Sequence, residues 1–160
     1  MTAFRNIKES DYSVISGFFE SKKELQSAFY QADFPIDPNQ LKSIIETRSN
    51  ATIITDNDIP VGFSDIYDIK ENKECYIGNF IIDRNCRQRG FASALLQENI
   101  DQTVRLYSVK KIKIFCRCEN TEALILYAKF DFQPAEIFIR EFDSVKVPVL
   151  LLEKKMKSCS

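Results

Sequence analysis

The sequence contains no histidine among its 160 residues. This absence excludes the side chain that enzymes use most often as a general base, together with every Ser-His or Cys-His nucleophile pair. It also argues against a metal site built from the five cysteines, which lack the paired spacing of zinc ligands. Any proton transfer must therefore use a carboxylate, a tyrosine, a lysine, a cysteine or water. We predict no metal ligand among the cysteines, which are Cys75, Cys86, Cys116, Cys118 and Cys159.

Long apolar runs and an excess of charge are missing as well. No apolar run approaches the ~20 residues of a membrane-spanning helix, and the longest, Val147–Leu152, has the length of a strand. Residues 1–8 lack the basic-then-apolar layout of a secretion signal. The formal net charge of -1 gives no general attraction to nucleic acid or to an anionic membrane. We therefore expect a cytoplasmic protein with no nucleic-acid partner and no membrane partner.

The composition is typical of a soluble globular protein, with 44% hydrophobic and 28% charged residues. The length suits one domain with a real core. The chain has no internal repeat, no low-complexity tract and no linker rich in glycine and serine. We therefore predict a single domain over residues 1–160.

The hydrophobic pattern alternates between strand-like and helix-like segments. At the centre, a strand over Glu74–Ile82 is followed by a helix over about residues 90–107 and a strand over Lys111–Cys118. A connection of this kind normally makes the two strands parallel, with a right-handed crossover.

The flanking segments predict the rest of the sheet. Asp37 followed by Pro38 marks a helix start, and Asp56-Asn57-Asp58 marks a hairpin turn. The other predicted elements are strands at residues 4–7, 51–55, 61–69, 134–142 and 147–153, and short helices after Ser10 and from Asn120. We therefore expect an α/β fold, with a mixed central sheet of about six to seven strands, helices on both faces and a central parallel β-α-β unit.

The most informative segment is the loop between the central strand and the long helix, which reads Asp83-Arg84-Asn85-Cys86-Arg87-Gln88-Arg89-Gly90. The first N–H groups of a helix lack internal partners and carry the positive end of the helix dipole, so this junction predicts an anion site. Gly90 lets the backbone approach a bulky phosphate, and Ala92 keeps the next turn slim. Arg87 and Arg89 add positive charge at the rim. The loop lacks the Lys-Ser/Thr of a P-loop and the three glycines of a dinucleotide fingerprint.

The sequence here resembles the GNAT family of N-acetyltransferases. The loop is similar to that family's R/Q-x-x-G-x-G/A pyrophosphate signature, and the helix–strand continuation to Cys118 follows it. Residues 120–132, Asn-Thr-Glu-Ala-Leu-Ile-Leu-Tyr-Ala-Lys-Phe-Asp-Phe, are similar to the family's N-x-x-A-x-x-L-Y-x-x-x-G-F segment. The resemblance covers Glu74 to Phe132 well, and outside that range it extends only to the order of helices and strands.

The resemblance implies that acetyl-CoA is the acyl donor. Backbone groups of three strand residues would hold the pantetheine arm, and the loop and first helical turn would surround the pyrophosphate. Asn120 would reach the pantetheine region. The implied donor-binding residues are Phe80, Ile81, Ile82, Arg87, Gln88, Arg89, Gly90, Phe91, Ala92, Ser93, Asn120 and Tyr127.

The resemblance also implies direct attack of an amine on the thioester, with Tyr127 as the acid that protonates the leaving thiolate. The alternative for Tyr127 is a packed aromatic residue on its helix. The first candidate for the general base is Glu74, with Tyr76 on the same strand face. The alternative is that Glu74 is only a solvated polar residue next to the turn that precedes it. A Glu in the family's branch that acetylates protein N-termini corresponds here to Phe115, which weakens that function.

A second departure from the family pattern is Asp131, which stands where the family usually has glycine. If that backbone needs a positive φ, aspartate tolerates it better than most residues but less freely than glycine. Acceptor choice is expected to come from the first helices and the terminal hairpin. Candidates there are the aromatic or cyclic residues Phe29, Tyr30, Phe34, Pro35 and Phe138 and the acidic residues Asp33, Asp37 and Asp65.

We therefore expect an acetyl-CoA-dependent N-acetyltransferase that acts on a primary amine of a small molecule. The alternatives are acetylation of a peptide or protein at its N-terminus or at lysine, and a non-catalytic sensor that binds acyl-CoA. A homodimer is a further expectation, with the terminal hairpin at Val147–Leu152 as its edge.

Overall fold

The computed structural model describes residues 1–30 and 32–157, so Cys159 lies outside the described residues. Seven strands form one sheet in the order β1-β2-β3-β4-β5-β7-β6. The strands are β1 (Thr2–Asn6), β2 (Ser49–Asp56), β3 (Ile59–Lys70), β4 (Glu74–Ile82), β5 (Lys111–Arg117), β6 (Gln133–Phe142) and β7 (Val145–Lys155). The helices are α1 (Asp11–Ser16), α2 (Lys22–Ala28), α3 (Pro38–Ile45), α4 (Phe91–Tyr107) and α5 (Thr121–Lys129).

The sheet is mixed, as the sequence predicts. β4 and β5 are parallel, and Glu74 to Tyr76 lie opposite Lys111 to Lys113. The β1–β2, β2–β3, β5–β7 and β6–β7 pairs are antiparallel. The α/β fold with a central parallel β-α-β unit is therefore confirmed. Among the described residues, no helix combines the length and the apolar character that a membrane crossing requires.

Residue contacts divide the chain into two compact units. Unit 1 comprises the described residues of Met1–Tyr67 and Gly78–Asn99, and unit 2 comprises Asp68–Ile77 and the described residues from Ile100 onward. The interpretation of residues 1–160 as a single domain stays a prediction.

In unit 1, helices cover both faces of the sheet. Neighbouring residues of a strand point to opposite faces, and Ile53 and Ile54 of β2 accordingly enter different hydrophobic clusters. Ile53 packs with residues of α1, α2 and α3, whereas Ile54 packs with Phe91 and Leu95 of α4. Ile81 and Ile82 divide between the same two clusters. The end of β4 is therefore fixed from above and below.

In unit 2, β5 alternates as a half-covered strand. Ile112, Ile114 and Cys116 are buried, and the residues between them are partly exposed. Burial raises the pKa of the Cys116 thiol to about 12, so this cysteine behaves as a small apolar group.

Two local features differ from the sequence pattern. The helix α2 has little apolar periodicity; Ser21 begins it by accepting a hydrogen bond from the Glu24 backbone N–H at 3.2 Å. In α4, the apolar residue Val104 is 43% exposed, whereas the polar residue Thr103 is fully buried. At 100° per residue, Thr103 continues the line of Leu96 and Ile100, whereas Val104 lies about 80° from the direction of Leu96.

Candidate active site

The chain between β4 and α4 is a tightly held loop. Asp83 begins a short 3₁₀ turn at Arg84–Cys86, and its side chain accepts a hydrogen bond from the Asn85 backbone N–H at 3.1 Å. The Asp83 backbone N–H donates to the Val61 carbonyl at 2.8 Å. Gln88 and Gly90 then take positive φ angles of 62° and 87° before α4 begins at Phe91.

Gly90 stands at the N-terminus of α4 and leaves space in front of the helix. Its carbonyl accepts the Ala94 N–H at 3.1 Å, so the N–H groups of Phe91, Ala92 and Ser93 have no acceptor within the helix. A Cβ built on Gly90 would meet nothing within 4 Å. Free N–H groups, a helix dipole and an open approach are the features that bind phosphate. The residues present therefore fit a pyrophosphate.

The two arginines at the rim are each held by an acidic partner. Arg87 pairs with Glu24 at 2.7 Å and donates to the Ile82 carbonyl at 3.3 Å, whereas Arg89 pairs with Asp56 at 2.8 Å. The side chains are 37% and 53% exposed. Solvent-exposed ion pairs of this kind contribute only about 0–1 kcal/mol. A polyanion can therefore compete for both guanidinium groups at little cost.

The three strand residues before the loop offer backbone rather than side chain. Ile81 and Ile82 are buried in the two clusters of unit 1, and Phe80 is half-buried against the α4 side. The binding of a pantetheine arm by the backbone of this stretch, which the resemblance implies, stays a prediction.

Tyr127 lies on α5 and is 6% exposed. Its ring packs edge-on against Phe132, with 5.9 Å between centroids. Burial raises the pKa of its phenol well above the ordinary value of 10. The group therefore stays protonated over the whole physiological range, which suits a proton donor and excludes a base.

Asn120 and Asp131 bracket α5. The Asn120 side chain caps the helix by accepting the Ala123 backbone N–H at 3.2 Å. Asp131 has a φ of 66°, so the backbone does require the left-handed region at the position where the family usually has glycine. Asp is among the residues that tolerate this region, and the departure therefore leaves the turn intact.

Glu74, the predicted base, is paired with two lysines. Its carboxylate lies 3.2 Å from Lys113 and 3.7 Å from Lys70. The hydrogen bond from Lys113 holds the pKa of Glu74 below its usual value. A carboxylate with a lowered pKa is a weaker proton acceptor. The role of Glu74 as the base stays a prediction, and these contacts weigh against it.

A second carboxylate has the opposite environment. Asp65 on β3 is fully buried, and Asn79 on β4 donates to its Oδ2 at 2.5 Å. Arg48 Nη1 lies 3.9 Å from Oδ1, too far for a hydrogen bond. Burial raises the pKa of Asp65 to about 6, although Asn79 and Arg48 oppose the shift. The burial of Asp65 could have been predicted from the sequence. Residues two positions apart on a strand point to the same face, and Asp65 follows the core residue Phe63 by two positions.

The other acceptor-side candidates separate by burial. Phe29 is a core residue that packs edge-on against Phe19 at 5.8 Å, so it is not available to an acceptor. Asp37 caps α3 by accepting the Asn39 backbone N–H at 2.7 Å. The exposed members are Asp33, Tyr30, Phe34, Pro35 and Phe138.

We expect the burial of Asp65 to lower stability as the pH rises. The folded carboxyl keeps its proton up to about pH 6, whereas the unfolded one loses it near its ordinary value of 3.8. Between these values the folded state binds more protons, so the free energy of unfolding falls as the pH rises, by about 3 kcal/mol in all. Asp65→Asn should remove this fall, so that the variant gains that amount relative to wild type between about pH 4 and pH 7.

Urea unfolding at several pH values measures the effect, and Asp11→Asn provides a control of opposite sign. Burial opposes the ionisation of Asp11, but hydrogen bonds from Arg5 and from the Lys8 backbone N–H outweigh it and hold its pKa below the ordinary value. The stability that Asp11 contributes is therefore lost as the pH falls. If both variants changed with pH in the same direction, the assignment for Asp65 would be wrong.

Comparison with known proteins places this geometry in context. Residues 13–132 match the family model described as the Acetyltransferase (GNAT) family. A comparison with curated proteins finds no match. Three solved structures illustrate the likeness of fold, each under 25% identical in sequence.

The first is the ribosomal-protein-S18-alanine N-acetyltransferase from Escherichia coli, with a TM-score of 0.78, 18% identity, and coverage of 100% of this chain and 97% of that one. The second is a spermidine N-acetyltransferase from Vibrio cholerae in complex with CoA and spermine (0.80, 16%, 96% and 95%). The third, from Salmonella typhimurium, modifies the N-terminal serine of the 50S ribosomal subunit protein L7/L12 (0.80, 17%, 98% and 95%).

Proposed function

Because the chain belongs to the acetyltransferase (GNAT) family and is thus a GNAT-type N-acyltransferase, we propose that it moves an acetyl group from acetyl-CoA to a primary amine of a small molecule. The observation that carries the proposal is the N-terminus of α4. There Gly90 has a φ of 87°, its missing side chain leaves open space, and three backbone N–H groups have no acceptor within the helix.

Donor binding follows from this arrangement. The N–H groups from Gln88 to Ser93 bind the pyrophosphate, and Arg87 and Arg89 exchange their carboxylate partners for phosphate oxygens. The backbone of Phe80, Ile81 and Ile82 binds the pantetheine arm as a strand would. Asn120 keeps its role as a helix cap and adds a contact to the arm.

The chemistry needs positioning and the movement of two protons. When bound, acetyl-CoA supplies an activated acyl group that an amine attacks without an acyl-enzyme. Tyr127 gives a proton to the departing sulfur, because burial keeps its phenol protonated. The amine must lose a proton before it attacks, and Glu74, at the start of the central strand, is the candidate that the sequence analysis gives for this step.

The choice of acceptor class rests on the structural neighbours and on one sequence position. Of the three structural neighbours described above, one acts on spermidine and two on ribosomal proteins, so amines and peptides are both acceptors for this fold. Phe115 stands at the position where enzymes of the N-terminal branch have a Glu. We therefore favour a small amine over a protein N-terminus.

A homodimer and a cytoplasmic location belong to the same proposal. The dimer edge cannot be β7, because its backbone already pairs with β5 and β6. The edge is β6, on which Ile137 and Ile139 are 65% and 63% exposed. Light scattering on the purified protein measures the mass that decides this point.

The test of the function is CoA release with a panel of acceptors. Purified protein is mixed with acetyl-CoA and with spermidine, tyramine, glucosamine, lysine amide or a peptide that begins with serine, and free thiol and product mass are measured. Acetylation of a small amine supports the proposal. Acetylation of the peptide alone would move the function to the peptide class, and tight acetyl-CoA binding without any product would favour a sensor.

A further inference from the structure

We propose that Asp65 takes the proton from the acceptor amine, through a water held between its Oδ1 and Arg48 Nη1. This inference rests on the proposed function, because it assigns the base of that same reaction to a residue that neither the family resemblance nor the comparisons name.

The first support is an unsatisfied polar pair in a buried place. Asp65 has no exposed surface, and its Oδ1 has no hydrogen-bond partner among the described residues. The same holds for Nη1 of Arg48, which lies 3.9 Å away. Buried polar atoms are nearly always satisfied by protein or by ordered water. One acceptor and one donor that face each other at this distance suit a bridging water.

The second support is the way the carboxylate is held. Asn79 donates to Oδ2 at 2.5 Å and so leaves Oδ1 as the oxygen that can receive a proton. Arg48 is fixed by stacking on the Tyr67 ring, with its guanidinium carbon 3.8 Å from the centroid. Gly78 makes room for this stack, because a Cβ there would lie 2.6 Å from the Tyr67 ring and 3.1 Å from Arg48 Nη1.

The third support is the link to the donor. Asn79 is buried, takes a φ of 49° and directly precedes Phe80, the first of the three residues whose backbone we assign to the pantetheine arm. Asp65, Asn79 and Phe80 all belong to unit 1. The hydrogen bond from Asn79 therefore ties the proposed base to the strand that presents the thioester.

The charged surroundings set the direction of proton transfer. Arg48, from the turn before β2, is the charged group that acts on Asp65, while Asn79 on β4 is neutral. Phe63 and Ile81 supply apolar surface on the same sheet face. Burial raises the pKa of Asp65 to about 6, so at pH 7 the group is a carboxylate with enough basicity to accept a proton.

The step balances as follows. The acceptor ammonium passes one proton through the water to Asp65 Oδ1, and the freed nitrogen lone pair bonds to the carbonyl carbon of the thioester. The carbon–sulfur bond breaks, and its electron pair leaves on sulfur. Tyr127 protonates the departing sulfur, which ends as a thiol, and the second proton that the nitrogen loses returns the phenol to its neutral form. Asp65 returns its proton to solvent.

The test is the pH profile of kcat/KM for the acceptor that the amine panel identifies. Wild type should show an acid limb near pH 6, and Asp65→Asn should lower kcat by about 100-fold and lose that limb, with acetyl-CoA affinity unchanged. Arg48→Met should move the limb to higher pH, because the cation that favours the ionised carboxylate is gone. Asp11→Asn is the matched buried-carboxylate control and should keep both the limb and kcat.

The outcomes separate the two proposals. If wild type acetylates an amine while Asp65→Asn keeps its kcat and its acid limb, Asp65 is structural and the function stands. Loss of both in Glu74→Gln, with Asp65→Asn unaffected, would return the role to Glu74. If wild type makes no product, both proposals fail. Carboxyl-carbon NMR of Asp65 adds a reading free of turnover: its titration should lie near pH 6 and rise in Arg48→Met.

Discussion

Gly90→Glu should abolish acetyl-CoA binding, weakening it by about 100-fold or more. At a separation of about 4 Å, two like charges at a protein surface repel by about 4 kcal/mol, which corresponds to about three orders of magnitude in affinity. The new carboxylate would enter the open space before α4, where nothing lies within 4 Å of a Cβ. Calorimetric titration with acetyl-CoA measures the loss.

Two variants separate charge from its side effects. Gly90→Ala imposes the same left-handed strain, about 1–2 kcal/mol of stability, without a charge, and should weaken binding far less. Ser43→Glu adds the same charge on an exposed position of α3 and should leave binding unchanged. If a folded Gly90→Glu protein bound acetyl-CoA as tightly as wild type, the assignment of the α4 N-terminus to the donor site would be wrong.

Tyr127→Phe should lower kcat by about 100-fold or more, the usual size of a lost general acid, while acetyl-CoA binding stays within a factor of two or so. The substitution removes only the hydroxyl, so the edge-on contact with Phe132 is kept. Because burial raises the pKa of Tyr127, its ionisation should not limit the wild-type rate below about pH 10.

Steady-state thiol release and calorimetry on the same preparation measure the two quantities. Tyr107→Phe, at the partly buried end of α4, is the matched control and should keep full turnover. A Tyr127→Phe protein with wild-type kcat would show that this tyrosine is only a packed aromatic residue. Retained binding with lost turnover would argue against the sensor alternative.

The donor side of the site could be predicted from the sequence because it depends on neighbours along the chain. Strand, loop and helix follow one another between Phe80 and Ser93, and the orphan N–H groups of a helix start exist wherever such a helix begins. The positive φ angles of Gly90 and Asp131 also depend on the local chain, because each residue lies in a turn next to a helix end. The parallel pairing of β4 and β5 likewise follows from the strand–helix–strand order along the chain, whereas the position of β7 between β5 and β6 was not predicted.

The environment of the candidate acceptor-side residues was decided by the tertiary structure. Asp65 and Asn79 are 14 positions apart, and only the pairing of strands brings their side chains together. Glu74 meets Lys113 because β4 and β5 are in register from Glu74 to Tyr76. Phe29 is buried because it packs against Phe19, which no periodicity in α2 predicts. Register and burial depend on residues distant in sequence, so the sequence alone determined which loop is the candidate donor site, and the fold decided that Glu74 is paired with lysine while Asp65 is buried.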